Sequence, residues 1–291
     1  MRVGESCAAC LYDKQERLCS DPDYLSEVRQ ILEERRENDT SPYLVYLFGR
    51  AYARRYGESA PYREMKRQFN DLVLSMEDSV REKIGEAGDP LAAAMVYARI
   101  GNYIDFGALK EVDRDTFLSL FDRTSLSSRD KKTLASFRKA CAEGKELLLI
   151  TDNCGEIILD RLFLEEVRKE FPSLLLTVMV RGGEVLNDAT LEDAVYTGMD
   201  RCASVISNGN AVAGTVYEML SPEAREALDR ADVVLVKGQG NYESLAGQGR
   251  HIFYSFLCKC GLFTDRFDVP LLTGMFVEEI PGNAGEGGIR L

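Results

Sequence analysis

The chain has 291 residues, of which 36 are Lys or Arg and 48 are Asp or Glu, for a formal net charge of −12. That length exceeds the roughly 100–200 residues of a usual single domain, so one large unit or two unequal ones are both admitted. The charge argues against nucleic acid and anionic membrane as partners, because diffuse binding to either rests on clustered Lys and Arg. A phosphate ligand would have to meet local positive charge, from a metal ion or a few fixed donors.

No run approaches the roughly 18–20 consecutive apolar residues of a membrane span. The opening MRVGESCAAC lacks the basic and then apolar layout of a secretory signal. A cytoplasmic location is expected, and with it thiols or a metal site before disulfides for the eight cysteines. The single histidine, His251, opens the apolar run HIFYSF and reads as structural. Imidazole-rich zinc sites, Ser-His-Asp triads and Cys-His dyads lose ground with it.

In chain order, residues 23–144 read as amphipathic helices. DYLSEVRQILEERRE repeats Leu25, Val28, Ile31 and Leu32 at helical spacing. SPYLVYLFGRAYARRYG opens with a capping Ser41 and with Pro42 in the first turn. Residues 61–85 carry Phe69, Val73, Met76, Val80 and Ile84 on one stripe. The helical part is expected to be scaffold or cap.

After SSRDKKTLASFRKACAEG the texture changes. ELLLIT, LLLTVMV, ASVIS, DVVLV and HIFYSF are short apolar runs of the kind that form buried parallel strands, and helical stretches such as GEIILDRLFLEEVRKEF lie between several of them. The expected fold is α/β: an N-terminal all-helical domain over residues 1–144, and a doubly wound, Rossmann-like domain with a mainly parallel sheet over residues 145–291. The glycine-rich end PGNAGEGGIRL reads as a loop or tail.

Ligands of such a sheet bind beyond the carboxyl ends of its strands. The first run leads into Asp152 and Asn153, oxygen donors of the kind Mg, Mn and Ca prefer. The second leads into RGGEVLNDAT, which brings Asn187 and Asp188; Asp193 follows on a helix, where a solvated acid and a functional one are equally expected. The third ends near Asn208. The fourth ends in Lys237, followed by Gln239, Gly240, Asn241, Tyr242 and Glu243, where glycines allow backbone N–H groups to approach an anion. HIFYSFL then delivers Lys259 between Cys258 and Cys260. Each feature alone is an ordinary turn signal, but their common edge suits a metal and an anion. No GxxxxGK[ST] occurs and KGQGNYE lacks dinucleotide spacing, which weighs against nucleotide hydrolysis and hydride transfer.

TDNCGE, NDATLEDA, SNG, KGQGNYE and CKC, with CAAC near the start, together resemble the damage-control phosphatase family. The ordered set spans nearly the whole chain and is most similar to the short prokaryotic branch with an N-terminal Cys pair. The resemblance implies metal-dependent release of phosphate from small phosphorylated metabolites, sugar phosphates or damaged ones, with Mn, Co, Ni or Mg. By motif it implies Asp152, Asn153 and Asp188 as the metal ligands and catalytic set, Gln239, Gly240, Asn241, Tyr242 and Glu243 as the substrate loop, and Lys259 as the phosphate-binding lysine. Lys237 and Asn208 are expected beside them on the substrate side. Eukaryotic relatives carry an acid where Gln239 stands, so their substrate range does not transfer.

The expected mechanism is attack by a water made acidic at the ion, with the lysines or loop amides offsetting charge on the phosphoryl oxygens. An aspartyl-phosphate route through Asp152 is a second course. Two other classes stay open, a carboxyl methyltransferase dependent on S-adenosylmethionine and a metabolite-binding protein without activity. Cys7, Cys10, Cys258 and Cys260 add up to a four-thiolate zinc site, but C-x-C is a poor zinc spacing and Lys259 already has an expected role.

Overall fold

The computed structural model describes residues 1–57, 62–101 and 125–281, with the backbone of 289–290. Helical expectations for residues 58–61 and 102–124 lie outside these. Three helices come first: α1 (Glu5–Leu18), α2 (Pro22–Glu33) and α3 (Ser41–Tyr56). Asp21 caps α2 by accepting from the Asp23 N–H, and Pro22 occupies the first turn, where no N–H is needed. Tyr24, Val28, Leu44 and Phe48 bury one another in a core of their own.

The next stretch forms two helices, α4 (Arg63–Leu74) and α5 (Glu77–Glu86), where one stripe was expected. The break falls at Ser75, whose hydroxyl donates to Leu72 O at 2.6 Å, yet Val73, Met76, Val80 and Ile84 remain buried across it. Helices α6 (Pro90–Gly101) and α7 (Ser128–Glu143) follow, the latter opened by a reciprocal cap between Ser127 and Asp130.

The five expected strands are present as β1 (Glu146–Ile150), β2 (Leu175–Val180), β3 (Ser204–Ser207), β4 (Val233–Lys237) and β5 (Ile252–Leu257). Among the described residues seven strands form one sheet in the order β3-β2-β1-β4-β5-β6-β7. Strands β1 to β5 are parallel; β6 (Gly274–Glu279) and β7 (Ile289–Arg290) extend the edge antiparallel. Neither was expected, and β7 occupies part of the glycine-rich end.

Helices α8 (Glu156–Glu170), α9 (Leu191–Tyr196), α10 (Pro222–Arg230), α11 (Gln239–Leu245) and α12 (Gly261–Phe267) alternate with the strands. Alternate side chains of β1 serve opposite faces. Leu147 and Leu149 join Val73, Met95, Phe137 and Ile158, so α4 to α8 share one core with the sheet. Leu148 and Ile150 join Tyr242, Tyr254 and Phe263 on the other face. Buried residues from both sides of residues 144–145 pack in that one cluster.

Among the described residues no helix is long and apolar enough to cross a membrane. All eight cysteines are free thiols. His251 precedes β5, at the end of that strand remote from the carboxyl edge, and its Nε2 meets Glu278 Oε1 at 2.8 Å. That is a sheet-edge contact.

Candidate active site

The winding direction reverses between β1 and β4, so the loops leaving these two strands open a crevice. The loop after β2 folds back over the loop after β1. Asn153 and Asp188 pair as an antiparallel bridge, the Ala189 N–H donates to Asp152 O at 2.8 Å, and the Cys154 N–H donates to Asn187 O at 2.8 Å. Backbone pairing thus sets Asp188 beside Asp152 and Asn153.

Their side chains interlock. Asn153 Nδ2 donates to Asp152 Oδ2 at 2.9 Å and to Glu156 Oε2 at 3.0 Å. Buried Arg181 donates from Nε to Asp188 Oδ2 at 2.6 Å and stands 3.9 Å from Asp152 Oδ1. Burial, then the charges of Asp188 and Glu156, push the Asp152 carboxyl up to about 7, against the opposing pull of Lys259 and Arg181.

A matching family model, the damage-control phosphatase ARMT1-like domain, covers residues 6–271. The chain belongs to the damage-control phosphatase family. A damage-control phosphatase of Archaeoglobus fulgidus is 30% identical over 276 residues, 89% of this chain and 93% of that relative. One from Pyrococcus horikoshii is 28% identical over 218 residues, covering 74% and 73%. The crystal structure of a DUF89 family protein from Pyrococcus horikoshii superposes with a TM-score of 0.80 at 25% identity, over 94% of this chain and 98% of that one.

The damage-control phosphatase motifs distribute unevenly around the crevice. Lys259 is half-buried at its rim, and its N–H donates to Gln239 Oε1 at 3.0 Å. Gln239 Nε2 donates to Glu243 Oε1 at 3.0 Å within α11 and to Cys260 Sγ at 3.5 Å, so Gln239 clips the CKC loop to the helix. Gly240 leaves room for the neighbouring chain, since a Cβ there would lie 2.4 Å from Ala213 O.

Three residues expected on the substrate side turn inward instead. Lys237 is the last residue of β4 and alternates onto the face of α6 and α8, where its Nζ meets Ala98 O at 2.8 Å, Glu156 Oε1 at 2.8 Å and Asp160 Oδ1 at 2.5 Å. Asn241 is buried, donating to Thr151 O at 3.0 Å and Lys237 O at 2.7 Å while its Oδ1 accepts from Arg181 at 3.0 Å. The Tyr242 ring packs among Tyr254, Phe256 and Phe263. In all three the side chain is engaged within the fold. Asn208 is likewise buried and ties two loops, its Oδ1 accepting from the Gly182 N–H at 2.8 Å and the Asn210 N–H at 3.0 Å.

Residues outside the expected set hold the loops in place. Asn70 of α4 accepts from the Gly155 N–H at 2.6 Å and donates to Asp193 Oδ1 at 2.9 Å. Lys66, one turn earlier, ion-pairs with Asp193 at 2.6 Å and Glu184 at 3.1 Å. Asp193 is thus no solvated acid; it caps α9 together with Thr190 and receives α4. Lys66 and Asn70 fall on the same helical face as buried Val73, and polar residues on a buried stripe are the signal that sequence reading passed over.

Among the described residues no group of three or more His, Cys, Asp or Glu side chains is arranged to hold a metal. A cation in the crevice would draw on two carboxylates and an amide. That all-oxygen set fits a hard divalent ion such as Mg or Mn.

Proposed function

We propose that this protein is a divalent-metal-dependent phosphatase of small phosphorylated metabolites, working in the cytoplasm. Family membership and relatives named damage-control phosphatase support phosphatase-type metabolite repair. The observation that carries the metal-dependent reading is the backbone bridge between Asn153 and Asp188, which gathers three oxygen-bearing side chains at the switch point of the sheet. Eight free thiols are in keeping with a reducing compartment.

Asp152, Asn153 and Asp188 would hold the ion, taken from Mn, Co, Ni and Mg. When bound, such an ion supplies charge that draws on phosphoryl oxygens and makes a neighbouring water more acidic. Arg181 fixes the Asp188 carboxylate through a 2.6 Å bond. Lys259 lies near enough to Asp152 for its charge to act on that carboxyl, so its ammonium can balance a phosphoryl group in the same crevice. The Gln239 clip keeps Lys259 at the rim. The helical part, through Lys66 and Asn70, braces both loops and walls the cleft.

The test is phosphate release from p-nitrophenyl phosphate by metal-stripped protein with each ion returned in turn. Metal-stimulated release that Asp152→Ala abolishes is expected. Tight metabolite binding without turnover would favour a sensor, and methyl transfer from S-adenosylmethionine would favour the methyltransferase. Trapping with labelled phosphate separates the two hydrolytic courses, since a covalent adduct on Asp152 would replace direct attack by water.

A further inference from the structure

Glu156 is fully buried, and its carboxylate touches two things that matter. Oε2 accepts from Asn153 Nδ2 at 3.0 Å and from the Asn153 N–H at 3.4 Å, while Oε1 faces the Lys237 ammonium at 2.8 Å. An amide has one donor end and one acceptor end, about 120° apart. Asn153 Nδ2 is committed to Glu156 and to Asp152 Oδ2 at 2.9 Å, so turning the amide over would press its oxygen against two carboxylates. The oxygen must point the other way.

We propose that Glu156 is a positioning residue which, anchored by Lys237, fixes the Asn153 amide with its oxygen toward the cation. The inference rests on the metal-dependent reading above and adds a residue to it. Glutamine in place of Glu156 has the same shape but cannot serve both neighbours. Its oxygen would go to the Lys237 ammonium, and its NH2 would face the Asn153 NH2, donor against donor. The Asn153 amide then loses its reason to present oxygen.

Asp160 is the control. It is buried beside Lys237 as Glu156 is, at 2.5 Å from Nζ, and it makes no hydrogen bond to Asn153. Loss of charge alone would act alike in both variants. The experiment is a Mn titration followed by electron paramagnetic resonance on wild type, Glu156→Gln and Asp160→Asn, with melting of each metal-free protein. Glu156→Gln is expected to bind Mn about 10–100-fold more weakly, and Asp160→Asn to stay within about threefold of wild type even where its melting temperature falls. Equal Mn affinity in Glu156→Gln and wild type, or equal losses in the two variants, overturns the inference and leaves the phosphatase reading standing. Failure of the wild type itself to bind Mn overturns both.

Discussion

A methyl group on Gly238 would stand 2.1 Å from Oδ2 of Asp152, and Gly238 itself sits at φ +81°. The exit of β4 therefore leans directly on the carboxylate that leaves β1. Both the space and the left-handed backbone demand glycine. Gly238→Ala is expected to displace Asp152 and cut phosphate release by about 100-fold or more, while far-UV circular dichroism shows a folded chain. Wild-type activity in Gly238→Ala would show that the crevice does not depend on this contact.

Asp152 gives a pH signature. Its carboxyl is pushed up to about 7 in the folded chain, chiefly by burial, from an ordinary value of 3.8. Protonation thus favours the folded form, so this group's contribution is whole below its unfolded value and is lost as pH rises through about 7. Denaturant unfolding of the metal-free protein should show wild type losing ground to Asp152→Asn between about pH 4 and about pH 7, with no further change above that. Mn must displace the proton, so its affinity should rise over about the same interval. A flat difference across that range would contradict the assignment.

The two lysines at the sheet edge should fail differently. Lys237→Met strands Glu156 and Asp160 in the core and is expected to cost about 3–5 kcal/mol in urea unfolding. Lys259→Met, half-buried at the rim, should change stability by less than about 0.5 kcal/mol yet lower kcat/KM by about 100-fold. Equal stability losses would undo the distinction.

Asn70 links the helical part to two loops of the site. Asn70→Ala leaves the Gly155 N–H and an oxygen of Asp193 short of a partner, at an expected cost of about 2 kcal/mol measured by denaturant midpoint. Metal affinity should fall with it. A variant of wild-type stability would show that α4 merely covers the loops.

The parallel strands were legible because burial on both faces leaves continuous apolar runs such as ELLLI, whereas β6, GMFVEE, is an antiparallel strand ending in two acids and carries no such signal. The loops were legible because doubly wound sheets gather ligands at one edge. A convergence of Asp188 on Asp152 and Asn153 was expected at that edge, but not the backbone bridge that makes it, which depends on residues 187–190 folding back over the first loop. The inward turn of Lys237 could have been read by parity. Val234 and Val236 serve one face of β4 while Val233 and Leu235 serve the other, and Lys237 follows the latter pair. Arg181 closes an apolar run, and that position hid its grip on Asp188.

The most direct measurement is anomalous diffraction from crystals soaked in Mn. A peak bonded to Asp152, Asn153 and Asp188, and lost in Asp152→Ala, is the expected result. Density for Mn elsewhere, or none at a concentration that supports turnover, would contradict the proposed centre.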